Sequence, residues 1–166
     1  MIKVLELLTG LPAAGKTTWA NFFLANGRSS VVHIDVDNFR KRFTGKWFED
    51  KEKESFIKEQ VISIIYALFD SDNYHIILND SAWFINNIDR QQWIKLCKDN
   101  DWKIMCTYIT TDFAQCVIND QFRERRVSSL IMKEICDRTA MPSPHEGFYQ
   151  CNFISWENIR NIKDKS

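Results

Sequence analysis

The sequence shows no excess of either charge: Lys plus Arg and Asp plus Glu each number 22 among 166 residues. A protein that grips a long duplex by its phosphates carries a basic surplus. Any nucleic-acid contact here is therefore expected to be short and local. No run approaches the roughly 18 to 20 consecutive apolar residues that a membrane span needs, so no membrane partner is expected. Residues 1–8 carry Glu6 inside a short apolar run and lack a small-residue cleavage site. They do not read as a secretory signal, and a cytoplasmic location is the expectation. The five cysteines are odd in number, contain no Cys-x-x-Cys pair and have no clustered histidines beside them. That excludes a zinc ribbon, argues against a disulfide framework, and leaves reduced, mostly buried thiols. There is no internal repeat, low-complexity tract or linker, so residues 1–166 are expected to form a single domain.

What is present is an alternation of strand-like and helix-like segments. Strands are expected at 2–8, 30–35, 74–79, 102–109 and 150–154. Helices are expected at 17–26, ended by Gly27, and at 55–69, where apolar residues recur at 57, 61, 64, 65, 68 and 69. Further helices are expected at 89–100, 112–126 and 129–138, with a polar helical tail after the last strand. Strands alternating with helices imply a parallel sheet covered on both faces, with ligands bound beyond the strand C-termini. The chemistry-bearing residues fall at three such strand ends and on one later helix.

The first strand runs into Gly10-Leu11-Pro12-Ala13-Ala14-Gly15-Lys16-Thr17. A Gly-x-x-x-x-Gly-Lys-Thr loop needs its glycines because backbone N–H groups must turn inward and approach phosphate oxygens closely. Lys16 reaches the β- and γ-phosphates in such a loop, and the Thr17 hydroxyl ligates Mg²⁺. The helix that starts there adds its dipole and free N–H groups. A chance match in a chain of this length is on the order of one in a few hundred. A nucleoside triphosphate is the expected ligand.

Asp35 and Asp37 lie just past the second strand, where a carboxylate can accept the proton of an attacking hydroxyl. Arg40 follows Asp37 by one helical turn and can face the same cleft. The competing reading is that these acids cap a helix. Asp80 closes the third strand, either as a carboxylate near the metal or as an ordinary loop residue. Arg123, Arg125 and Arg126 cluster near the expected end of the 112–126 helix. They either reach over bound phosphates or form a solvated last turn favoured by the helix dipole. Trp83 and Phe84 either stack on an acceptor base or pack against the sheet.

Together these residues resemble the kinase domain of 5′-hydroxyl polynucleotide kinases, phage and eukaryotic, from Lys3 to about Phe153. Gly10-Leu11-Pro12 with Gly15-Lys16-Thr17-Thr18-Trp19-Ala20 is similar to that family's Gly-x-Pro-Gly-x-Gly-Lys-Ser-Thr loop. The register of His33-Ile34-Asp35-Val36-Asp37 assigns the general base to Asp37. By the same likeness Arg40 handles an acceptor phosphate and Asp80 closes the third strand. The segment 115–124 resembles the lid helix, with Arg123 as the lid arginine. Pro142-Ser143-Pro144-His145-Glu146-Gly147-Phe148 resembles the turn before the last strand of the eukaryotic form.

Three departures stand out. Ala13 replaces a glycine, which requires a φ below zero there. Asp35-Val36 replaces Asn-Arg, adding negative charge near the acceptor. Ser81-Ala82-Trp83-Phe84-Ile85 intervenes between Asp80 and Asn86-Asn87.

The resemblance implies a P-loop NTPase fold: a three-layer α/β/α sandwich with a mostly parallel sheet and a helical lid. It implies ATP and Mg²⁺ as cofactors, held by Gly10, Pro12, Ala13, Ala14, Gly15, Lys16, Thr17, Thr18 and Arg123. Lys16, Asp37 and Arg123 are then the catalytic group, and Asp35, Arg40 and Asp80 bind the acceptor. The leading expectation is transfer of the γ-phosphate to a 5′-hydroxyl nucleic-acid end. The alternatives are a kinase of the same fold acting on a small-molecule alcohol, and a nucleotide-binding module without catalysis.

Overall fold

The structure is a computed structural model that describes residues 2–26, 30–47, 52–70 and 75–164. Five strands, β1 (Val4–Thr9), β2 (Val31–Asp35), β3 (His75–Asn79), β4 (Lys103–Ile109) and β5 (Gln150–Ile154), form one sheet in the order β2-β3-β1-β4-β5. Every pairing in it is parallel. Parallel neighbours need crossovers, and helices supply them: α1 (Lys16–Ala25), α2 (Val36–Thr44), α3 (Glu54–Asp70), α4 (Asn87–Asp99), α5 (Phe113–Asp120) and α6 (Ser129–Arg138). A last helix, α7 (Trp156–Lys163), follows β5. The result is the three-layer α/β/α sandwich of a P-loop NTPase, with β1 central and the first loop emerging at its C-terminal end.

Both faces of the sheet are covered. Leu5, Leu7, Ile76 and Leu78 pack against Ile57, Val61, Ile65 and Phe69 of α3 and Trp93 and Cys97 of α4. Leu8 and Ile77 point the other way, towards Ala20 of α1, Cys116 of α5, Met132 of α6 and Ile159 of α7. Burying each such side chain is worth about 1.5–3 kcal/mol, which holds the strand ends in fixed register. Glu6 is tolerated within this interior because Thr107 Oγ1 donates to it at 2.5 Å and His75 Nε2 lies 2.6 Å away. Polar groups taken out of water need such partners. Cys97, Cys106 and Cys116 are buried, and all five cysteines are free thiols. No described helix is long and apolar enough to cross a membrane.

Most expected boundaries lie within a residue or two of the observed ones. Gly27, expected to end the first helix, and Tyr74, expected to open the third strand, lie outside the described residues. Two differences have physical causes. The helix expected over 112–126 stops at Asp120, because the Asp120 side chain accepts the Val127 backbone N–H at 2.7 Å and turns the chain back. The arginine cluster therefore lies on a loop, 121–128, and not on a helix. α2, where no helix was expected, begins directly after β2 because Asp35 caps its first turn, and Val36, Phe39 and Phe43 stand at helical spacing along it.

Candidate active site

A cleft opens beyond the C-terminal ends of β1, β2 and β3. Pro12, Ala13, Gly15, Lys16, Thr17, Thr18, Asp37 and Arg123 line it, all expected from the sequence. Asn79, Ser81 and Asn119 line it as well without having been expected there, and so does Arg125, one of the three clustered arginines. Gly10 and Ala14 form the loop's interior. At Gly10, φ is +142° and a Cβ would stand 2.8 Å from the Ile109 carbonyl oxygen; at Gly15, φ is +106° and a Cβ would stand 2.6 Å from Ile159. Any side chain at either position would push the loop off β4 or α7. Gly15 caps α1 without a side-chain hydrogen bond, so the first N–H groups of the helix are left for an anion.

Ala13 does not keep the negative φ expected of it. Its φ is +61°, the left-handed region, which the loop imposes to turn backbone amides inward. Asn119 Nδ2 holds the Ala13 carbonyl at 3.1 Å, and Thr111 Oγ1 holds that of Ala14 at 2.8 Å. The second half of the sheet thus locks a strained loop in place.

The Lys16 ammonium lies within its own loop, donating to the carbonyls of Gly10 (3.0 Å) and Leu11 (2.8 Å) and to Ser81 Oγ (2.7 Å). Burial lowers its pKa to about 8, against the pull of Asp37 and Asp80. Thr17 Oγ1 lies 3.4 Å from Asn79 Nδ2. Asn79 Oδ1 is buried and has no hydrogen-bond partner among the described residues. The Thr17 hydroxyl and the unpartnered oxygen at the other end of the Asn79 amide are neutral donors of the kind a hard cation takes when it arrives with a triphosphate and keeps most of its waters. Among the described residues no three His, Cys, Asp or Glu side chains gather into a metal site.

The carboxylates divide by role. Asp35 caps α2, its Oδ1 accepting the N–H groups of Asp37 (3.1 Å) and Asn38 (3.2 Å). Its carboxylate lies outside the cleft wall. That cap orients the first turn of α2 so that Asp37 faces Lys16 across the cleft. Asp37 pairs with Arg40 at 2.9 Å and with Arg125 of the 121–128 loop. Asp80 is 1% exposed and bound to Arg40 at 2.6 Å, with the Ala82 and Trp83 N–H groups donating to its other oxygen. Burial raises its carboxyl above the usual range, and Arg40 opposes this. Asp80 therefore commits its carboxylate to Arg40 and to its own turn, and does not line the cleft.

Arg40 is likewise buried. Burial disfavours its charge, but Asp80, Glu54 and Asp37 outweigh that and raise its pKa. Glu54 is a further residue of this network with no sequence signal, since it stands at the start of α3, 14 residues beyond Arg40. Trp83 and Phe84 pack inward: the Trp83 ring stacks on Trp93 at 5.7 Å, and its Nε1 donates to Glu54 at 2.5 Å. Of the clustered arginines, Arg123 is held loosely by Asp120 at 3.3 Å. Arg125 touches Asp37 and lies over the Trp47 ring, 5.7 Å from its centroid. Its position two residues along the same cluster was visible in the sequence, but its partner was not.

Residues 5–139 match the family model described as an AAA domain. No curated protein matches the chain in sequence. Among solved structures, a chain of the Pnkp1/Rnl/Hen1 RNA repair complex is similar at 15% identity and a TM-score of 0.69, over 99% of this chain and 46% of that one. The present chain thus spans less than half the length of that relative. A sugar kinase from Janibacter is similar at 12% identity and a TM-score of 0.66, over 99% and 92% of the two chains. A gluconokinase from Sinorhizobium meliloti is similar at 13% identity and a TM-score of 0.59, over 97% and 89%. At such identities the likeness is one of fold.

Proposed function

The chain belongs to the AAA domain family, and from that premise we propose that residues 1–166 form one kinase domain that transfers the γ-phosphate of ATP to a small-molecule alcohol. One observation carries the reading: Lys16, Asp37, Arg123 and Arg125 converge on a single cleft. A module that only binds nucleotide has no use for a carboxylate facing its phosphate-binding lysine.

In the proposed mechanism the loop amides and the α1 N-terminus hold the β- and γ-phosphates. Lys16 leaves its carbonyl partners for the phosphate oxygens. Thr17 and Asn79 would hold Mg²⁺, which neutralises charge on those oxygens. Asp37 accepts the proton of the attacking hydroxyl; ionised, it keeps lone pairs beyond those used by Arg40 and Arg125. Arg123 and Arg125 draw over the transferring group and offset the charge that develops on it. Asp35 and Asp80 act on the acceptor side indirectly, by setting α2 and Arg40.

Sugar-kinase and gluconokinase folds that match over nearly their full length support the small-molecule acceptor. A second reading, phosphorylation of a 5′-hydroxyl nucleic-acid end, is favoured by the fold likeness to the RNA-repair-complex chain and by the register that puts Asp37 in the base position. Replacing Asp37 by Asn keeps the shape and removes the base. Transfer of labelled phosphate is expected to fall by about 100-fold or more, with ATP binding retained in titration calorimetry. Transfer at an undiminished rate would remove Asp37 from the mechanism.

A further inference from the structure

Arg40 is the residue that resemblance would hand to an acceptor phosphate, and its surroundings forbid that task. It is 2% exposed. Its Nε and Nη2 go to Glu54 at 3.1 and 2.5 Å, and its Nη1 goes to Asp37 at 2.9 Å and Asp80 at 2.6 Å. Trp83 closes over it, the ring centroid 5.3 Å from Cζ, and is itself fixed to Glu54 through Nε1. Four of its five N–H groups are engaged, and the side chain is too enclosed for an anion to reach the fifth.

The charge balance points the same way. Three carboxylates surround one guanidinium, and the Lys16 and Lys58 ammoniums also act on them; once a triphosphate engages Lys16, the ionised acids outnumber Arg40 and Lys58 by one. Arg125 offsets part of this while it rests on Asp37. It also lines the donor cleft, where a bound triphosphate competes for it. With the donor in place, the acceptor's approach to Asp37 is a negative one, and a second phosphate there meets repulsion while the Arg40 guanidinium is already engaged.

Resting on the kinase reading above, we infer that the acceptor is an alcohol with no phosphate beside its reacting hydroxyl, an uncharged polyol or amino alcohol, and that Glu54 sets this preference by occupying Arg40. The acceptor oxygen bonds to the γ-phosphorus as the bond from that phosphorus to the β,γ-bridging oxygen breaks. The hydroxyl proton passes to Asp37, and ADP leaves with the bond's electron pair. Glu54 is a specificity-determining residue that acts through Arg40 and touches no reacting atom. A nucleic-acid 5′ end carries a phosphodiester on the same sugar as its hydroxyl, so the inference also separates the two readings of function.

The test is labelled γ-phosphate transfer from ATP by the full chain to matched pairs: adenosine and adenosine 3′-monophosphate, glycerol and glycerol 3-phosphate, glucosamine and glucosamine 6-phosphate. In each pair that reacts, the member without phosphate is expected to be used at least about tenfold better in kcat/KM, a difference well within reach of one unfavourable charge contact. Glu54→Gln removes one charge and retains an acceptor for Trp83, and is expected to shrink that ratio several-fold. Preference of the wild-type enzyme for the phosphate-bearing members, or for a 5′-hydroxyl oligonucleotide, overturns the inference and leaves the kinase reading standing. An unchanged ratio in a folded Glu54→Gln overturns the role of Glu54. No transfer to any acceptor, with ATP still bound, overturns the kinase reading and this inference with it.

Discussion

Lys16 and Ala13 show how much of the donor site is decided by single residues. Lys16 has a pKa of about 8 because burial disfavours its ammonium more than Asp37 and Asp80 favour it. A triphosphate binds the charged form, so the protonated fraction of the free protein limits binding. Below about pH 7 that fraction is near one and affinity is flat. Above pH 8 it falls with each unit, and ATP affinity is expected to drop about tenfold between pH 8.5 and pH 9.5. Calorimetry in buffers of different ionisation enthalpy should show proton uptake on binding near pH 8.5. Ala13 carries left-handed strain of about 1–2 kcal/mol, while glycine there would cost about 0.4–1 kcal/mol through a freer unfolded chain. Ala13→Gly is thus expected to stabilise the protein by about 0.5–1 kcal/mol. A melting temperature raised by roughly 2–4 °C per kcal/mol would report it, with nucleotide binding preserved.

At the scale of elements, the decisive piece is the 121–128 loop between α5 and α6. Asp120 ends α5, stays 5% exposed, and bonds both the Val127 N–H and the Arg123 side chain. Ser128 then caps α6 through the Ile131 N–H. The arginines are therefore carried on a short strap fixed at both ends, with Arg125 laid on Asp37. Asp120→Ala leaves the Val127 N–H unpaired in a buried place and is expected to cost about 1–3 kcal/mol. Hydrogen exchange should report faster exchange confined to 121–128, with the sheet amides unchanged. A rise in exchange across the whole sheet would instead mean that Asp120 stabilises the fold globally.

For the whole molecule, the sheet is held between two helical layers, and its far side is tied by one buried ion pair. Arg90 of α4 is 0% exposed and grips Glu146 with Nε at 2.8 Å and Nη2 at 2.7 Å. Its Nη1 donates to the carbonyls of Phe84 and Ala140. Glu146 also accepts the Ser143 N–H, closing the turn before β5. The Pro142–Phe148 segment that marks the resemblance is thus a strut between α4 and β5, remote from the cleft. Glu146→Ala strands a buried guanidinium and is expected to cost about 3–5 kcal/mol in urea denaturation. Where the variant remains folded, its ATP affinity should equal that of the parent.

By itself, the sequence determined the layer architecture, the phosphate loop with Lys16 and Thr17, and a pair of acids, Asp35 and Asp37, past the second strand, between which only the family likeness chose. Each of these depends on local information: period, glycine placement and distance along the chain from a strand end. Trp83 illustrates what lay beyond that reach. Its sequence context leaned towards packing and left stacking on a base open, and only the neighbouring Trp93 and Glu54, contributed by α4 and α3, decided for packing. Arg40 is the sharper case. Its spacing from Asp37 was plain, yet its meaning depends on Asp80 and Glu54, 40 and 14 residues away. Charge cancellation in a buried cluster is a property of distances in space, and tertiary structure alone sets those. The phosphate loop is local in the chain and could be read from it; the Arg40 cluster is assembled from three elements and became legible only once they were packed.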